Sequence, residues 1–160
     1  MKIPLRYAPR GLTRKDRKRQ LNMLTKSRRL YKQHKYFTRK KVASFKSKPS
    51  NHVTNARRIY GVEDVKPSIK LAKATGCSVS ALKKIVQKGE GAYFSSGSRP
   101  NQTAQSWGYA RLASAITGGK AAAVDFKIIE EGCSHTKKAF KMAQKAKAKG
   151  LRKTRKITFF

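Results

Sequence analysis

Residues 91–133 read GAYFSSGSRPNQTAQSWGYARLASAITGGKAAAVDFKIIEEGC, and this stretch decides the fold. It holds four basic residues (Arg99, Arg111, Lys120, Lys127) against three acids (Asp125, Glu130, Glu131), in a chain whose formal net charge is +33. Residues 1–48 carry 18 Lys and Arg against Asp16 alone; residues 49–90 carry 8 against three acids, and residues 134–160 carry 10 against none. Like charges crowded together oppose compaction. A near-neutral segment between two cationic ends is therefore where a core can form.

The segment spells out its own local structure. Ser95 to Gln102 is turn chemistry, since Gly97 permits positive φ and Pro100 holds Arg99 extended. Thr103 can cap a helix through its side-chain oxygen. Tyr109, Leu112, Ala113 and Ile116 then fall at i, i+3, i+4 and i+7, one apolar face. Gly118 and Gly119 supply a left-handed stop. A second helix is predicted over 120–131, with Ala121, Val124 and Ile128 on one side and Phe126 with Ile129 near the other, ended by Gly132. Trp107, the only tryptophan, is expected to join this hairpin to the helices before it. A hairpin that simply packs is preferred to a substrate-binding loop over 95–102.

Upstream, Pro4, Pro9 and Gly11 make an extended lead-in, and Thr13 can cap a helix over 14–33. Leu21, Leu24 and Tyr31 give that helix a thin apolar stripe among Lys and Arg. A polyanion or acidic surface would neutralise it, with Arg14, Lys15, Arg17, Lys18, Arg19, Arg28 and Arg29 as candidate contacts. Residues 36–49, YFTRKKVASFKSKP, mix aromatics with cations and are expected to form a short strand or extended clamp. Tyr36, Phe37 and Phe45 are candidate partner anchors there, by packing or by stacking on bases. Residues 51–60 read as a short helix with Val53, Ala56 and Tyr60 inward, closed by Gly61.

Residues 67–89, PSIKLAKATGCSVSALKKIVQKG, suggest two helices about a turn. Pro67 suits a first helical turn; Leu71, Ala72 and Thr75 face inward, Gly76 turns, Ser78 caps, and Leu82, Ile85 and Val86 line the second helix. The pattern is similar to a helix-turn-helix unit. In a DNA binder Val79, Ser80, Lys83, Lys84 and Gln87 would enter the major groove, with Lys88 as a further polyanion contact; a structural hairpin is the preferred alternative. Beyond residue 133 a helix bearing Phe140, Met142, Ala143 and Ala146 is broken by Gly150. The basic tail that follows ends in Ile157, Phe159 and Phe160, expected to anchor in a groove on a partner. The expected fold is mainly α: a helical core domain over 49–133 between a basic N-terminal arm over 1–48 (helix plus extended segment) and a basic C-terminal helix and tail over 134–160.

Several classes are disfavoured. No run of eighteen apolar residues exists, so no transmembrane helix is expected, and the first residues lack the apolar stretch of a signal peptide. Two cysteines, Cys77 and Cys133, do not make a disulfide framework, and a reduced cytoplasmic or nuclear setting is expected. Neither Cys133 with His135 nor Cys77 with His52 has paired metal-ligand spacing. Thr117 to Lys120 lacks the first Gly and the final Ser/Thr of a phosphate loop, and no GxSxG elbow occurs. The chain is expected to be no enzyme, with no cofactor, metal or small-molecule substrate. Its 40 Lys and Arg and pI near 11 point to a polyanion: DNA, RNA, an acidic membrane surface or an acidic protein shell.

YFSSGSRPNQTAQSWGYARLASAITGGKAAAVD over 93–125, followed by Glu131-Gly132-Cys133, resembles a family of uncharacterised basic proteins encoded by large double-stranded DNA viruses, notably those infecting algae. The likeness extends through IPLRYAPRGLTRKDRK (3–18) and KSRRLYKQHKY (26–36). That family brings no established activity or catalytic residues; the resemblance implies a viral setting. With the charge pattern it gives the expectation of a structural virion protein made in the host cytoplasm or nucleus. The specific expectation is a minor capsid protein on the inner face of an icosahedral shell, bridging or cementing capsid subunits through basic arms. Its partners would be other capsid proteins in a large assembly, with viral DNA or acidic membrane head groups as further surfaces. The alternative is a nucleic-acid-binding protein, either genome-condensing or a helix-turn-helix binder using 67–89.

Overall fold

The computed structural model describes residues 2–151 and 154–158. They form β1 (Lys2–Pro4), a short 3-10 turn (Leu5–Tyr7), α1 (Arg14–Tyr31), α2 (Asn51–Tyr60), α3 (Ile69–Thr75), α4 (Val79–Ser95), α5 (Ala104–Ile116), α6 (Lys120–Val124), α7 (Phe126–Gly132), α8 (Lys138–Lys149) and β2 (Lys156–Thr158). The protein is mainly helical, as its periodicity predicts. Two compact units divide it: Met1–Lys48 with Glu90–Trp107 and Lys153–Phe160, and Pro49–Gly89 with Gly108–Arg152. Neither is one consecutive stretch, whereas the charge pattern places boundaries after residues 48 and 133. Among the described residues no helix is long and apolar enough to cross a membrane.

Capping residues set the ends of α3, α4 and α5. Ser68 Oγ accepts from the Leu71 N–H at 3.1 Å, so α3 starts after Pro67 and not with it. Gly76 turns the chain at φ 75°, and Ser78 Oγ takes the Ala81 N–H at 3.1 Å to open α4. Thr103 Oγ1 takes the Ser106 N–H at 3.1 Å ahead of α5, and Gly118, at φ 71°, follows that helix's end. Leu71, Leu82, Ile85, Leu112, Ile116, Ile129 and Ala143 bury together. A Cβ at Gly89 would lie 2.6 Å from the Gly108 Cα, so α4 and α5 meet backbone to backbone there.

The helix expected over 120–131 is two helices. The Asp125 N–H closes α6 on the Ala121 carbonyl at 2.8 Å, while its own carbonyl starts α7 by accepting from Ile128 at 3.0 Å. Its carboxylate turns inward to Arg111. Ala122, Asp125, Phe126 and Ile129, spaced i, i+3, i+4 and i+7, are buried across the break, and Val124 is 49% exposed. Val124 is expected from the sequence on one side with Ala121 and Ile128; the inward face is the one centred on Ala122, Phe126 and Ile129, and Ala121 and Ile128 are only half-buried at its edge.

The cysteines are also corrected. Cys77 and Cys133, 56 residues apart, are joined by a disulfide. Ser78 N–H to Gly132 carbonyl and Ser134 N–H to Gly76 carbonyl, each 2.8 Å, flank it. The turn between α3 and α4 is thus stapled to the end of α7. Closing so long a loop restricts the unfolded chain, which in a chain-entropy account stabilises by about 2–4 kcal/mol. Replacing both cysteines with serine is expected to lower stability by that amount. Thermal unfolding with and without reductant checks it: reduction should shift the parent protein and leave the double variant unchanged.

In the first unit, Thr13 Oγ1 accepts from the Asp16 N–H at 3.2 Å and caps α1. Leu21 and Leu24 bury against Ile3, Tyr7 and Ala8, with Trp107 and Ile157 packed on the same cluster. Residues 2–31 are therefore folded rather than an extended arm. The cations of α1 hide the face on which Gln20, Leu21, Leu24 and Ser27 turn inward. Trp107, on α5, lies edge-on to Tyr7, ring centres 6.0 Å apart, and packs on this cluster with Leu21 and Leu24 of the preceding helix α1, as expected of it. β2 pairs antiparallel with β1, Ile3 opposite Ile157. Ile157, half-buried, thus packs within its own chain; Phe159 and Phe160 lie outside the described residues.

Candidate polyanion-binding surface

A shallow, open groove runs along α1 in the first unit. Its volume is about 500 Å³, and it is lined by Lys15, Lys18, Arg19, Asn22, Met23, Lys26, Phe37 and Lys40. Helical spacing explains the arrangement. Lys15 and Arg19 are four residues apart, as are Lys18, Asn22 and Lys26, so each row steps about 6 Å along the axis. Met23 and Phe37 form an apolar floor that packs with Leu12, Val42 and Phe45. The Lys26 ammonium sits 4.5 Å from the Phe37 ring centre, a cation–π contact. The Lys40 backbone N–H donates to Met23 Sδ at 3.3 Å.

Residues 32–49 bring Phe37 and Lys40 to this place without a strand; side chains pin them. The Arg39 backbone N–H donates to Tyr93 Oη at 2.9 Å. Its guanidinium donates to Ser27 Oγ, the Tyr93 carbonyl and Ser98 Oγ, each at 2.9 Å, and lies 3.8 Å from the Tyr93 ring centre. Arg39 is 6% exposed, and burial lowers its pKa from the usual arginine value. Asn101 accepts from the Val42 N–H at 2.8 Å and donates to the Val42 and Phe45 carbonyls. Asp16 accepts from the Ser44 N–H at 2.8 Å, and its bonds with Ser44 lower its pKa. The one acid in residues 1–48 is engaged, leaving the groove's cations the larger share of the local field.

The candidate contacts divide by what they touch. Arg14, Lys15, Lys18, Arg19 and Arg29 are exposed on α1. Arg17 donates to the Ala8 carbonyl at 3.0 Å, and Arg28 donates to the Ser96 carbonyl at 2.9 and 2.7 Å; both hold the fold. Lys83, Lys84 and Lys88 are exposed on α4 in the second unit, with Ser80 and Gln87, while Val79 is half-buried. Of the proposed anchors, Phe37 and Phe45 pack within their own unit. Tyr36 is 70% exposed and lies edge-on to Phe94, ring centres 5.1 Å apart. Among the described residues no three His, Cys, Asp or Glu gather to hold a metal ion.

Sequence reasoning missed Arg39, Lys26 and Lys40. Lys26 could have been found, since it continues the Lys18 row by eight residues. Arg39 had no local signal: its partners lie 12 to 59 residues away.

No curated protein and no solved structure matches the chain. Residues 4–131, four-fifths of the sequence, match the family described as "Family of unknown function (DUF5824)". They include the α1 groove, the α3–α4 pair and the Arg111–Asp125 contact, and the chain belongs to that family.

Proposed function

We propose that the protein is a structural component of a virus particle, a minor capsid protein on the inner face of an icosahedral shell. Its basic terminal segments, 1–48 and 134–160, bridge acidic surfaces of neighbouring capsid subunits. The observation that carries this reading is uncompensated surface charge. The unit containing α1 has 22 Lys and Arg against Asp16 and Glu90, and the other has 18 against five acids. Asp125, one of those five, is buried in an ion pair. Two units each with a cationic surplus suit a bridge between acidic surfaces, and the resemblance to basic proteins of large DNA viruses supplies the setting. Viral DNA and acidic head groups are further surfaces of the right sign.

Mass spectrometry of gradient-purified particles tests the proposal. The protein is expected to stay with the shell after nuclease and detergent; loss with nuclease would move it to the genome. The second reading, a nucleic-acid binder, draws on α3, the Gly76 turn and α4, with Lys83 and Lys84 exposed. Sequence-preferring DNA affinity that falls when both lysines become alanine would favour it. Phosphate contact of any kind weakens steeply with salt through counterion release.

A further inference from the structure

The α1 groove combines two features that a featureless basic surface lacks, an apolar floor and a fixed spacing of cations about it. We propose that it receives an extended acidic peptide in which one aliphatic side chain stands midway between two carboxylates; as a segment of a capsid neighbour, this occupant rests on the reading above. Lys18 and Lys26 are eight residues apart, about 12 Å along the helix. In an extended chain, residues four apart are separated by about 13 Å and point to the same side, as does the residue midway between them. Carboxylates at the two ends would meet the Lys18 and Lys26 positions, with Lys15, Arg19 and Lys40 adding charge around them. The middle side chain would descend on the floor formed by Met23, held in place by the Lys40 N–H, and the edge of the Phe37 ring.

The floor favours a peptide over a nucleic-acid strand. A base needs an open aromatic face to stack on. Phe37 already carries the Lys26 ammonium over its ring and packs against the Leu12, Met23 and Val42 cluster. An aliphatic side chain needs only the methionine and the ring edge.

The test uses the full chain near physiological salt and fluorescence anisotropy. The probe is a labelled nine-residue peptide of serine and glycine with glutamates at its third and seventh positions and leucine at its fifth. A second peptide has serine in place of the leucine, and an oligothymidylate of equal charge is the third probe. The leucine peptide is expected to bind about tenfold or more tighter than the serine peptide. Lys18→Glu with Lys26→Glu should abolish that preference, and Lys83→Glu with Lys84→Glu, the same change of charge, should leave it. Circular dichroism checks folding, and Lys18→Ala with Lys26→Ala replaces the glutamate pair if helicity falls. Equal binding of the two peptides overturns the proposal, as does equal loss from both lysine pairs. Tighter oligothymidylate binding that depends on Lys18 and Lys26 gives the groove to nucleic acid. A failed titration with the protein still found in the shell refutes the groove assignment alone; a leucine preference with the protein absent from particles refutes the capsid role alone.

Discussion

Replacing Arg111 with leucine is expected to destabilise the unit built around α5 and α8 by about 3–5 kcal/mol, the cost of stranding one buried partner of an ion pair. The Asp125 side chain has no exposed surface. Arg111 Nε reaches one carboxylate oxygen and Nη2 the other, each at 2.7 Å, a two-pronged match of planar groups. Lys88 stands 3.9 Å from the same carboxylate, but its side chain is 56% exposed and its attraction is screened by water. It cannot replace the guanidinium. Arg111→Leu combined with Asp125→Leu should recover most of the loss, because no charge is left in the interior. Denaturant unfolding of the two single variants and the double gives the coupling. A single Arg111→Leu within about 1 kcal/mol of the parent would show that the contact is dispensable to the stability of this unit.

A comparable loss is expected for Arg39→Met in the other unit, about 3 kcal/mol or more. The methionine fills part of the space but removes three charge-assisted bonds. Ser27 Oγ and Ser98 Oγ keep only their own bonds to the Phe94 and Arg99 carbonyls, and the Tyr93 carbonyl loses its Arg39 donor. Each bond to a charged group contributes about 1.5–3 kcal/mol. Arg39→Lys should not rescue it, since an ammonium is a point charge and these acceptors need a planar fork. Trp107 belongs to the same unit and is the only tryptophan, so its emission reports this loss. Amide exchange should rise over 14–48 and 90–107 while α8 stays protected. A lysine variant as stable as the parent would mean that charge, and not geometry, holds this segment.

What could be read from the sequence was local. Thr13, Ser78 and Thr103 cap the helices they were expected to cap, because an N-cap needs only a hydroxyl and the next turn. Gly61, Gly76 and Gly118 all have positive φ. What escaped depends on residues far apart in the chain. A helical wheel offers two apolar faces over 120–131, and what selects the one with Ala122, Phe126 and Ile129 is packing against distant residues and the bond from Arg111 to Asp125, 14 residues away. The cysteine spacing of 56 gives no hint of a bond. The N-terminal segment is expected as a basic arm of helix plus extended residues because its charge is counted along the chain, while the Leu21 and Leu24 stripe finds its partners at Tyr7, Trp107 and Ile157. The groove was half legible: its α1 cations follow helical spacing, but Phe37 and Lys40 arrive through Arg39 and Asn101 contacts that no periodicity encodes.

The assembly of one unit from three separated segments has a consequence for biosynthesis. A ribosome extends the chain at roughly 5–20 residues per second. Residue 48 therefore waits about 3–12 s before residue 107 exists, and longer before β2 can join β1. During that interval a nascent segment with 18 cations and one acid has none of its native partners from residues 90–107. The polyanion nearest to it is the RNA of the translating ribosome itself. Synthesis of this protein is thus expected to be sensitive to what shields its first 48 residues, and a co-expressed acidic partner should raise soluble yield more when present during translation than when added afterwards.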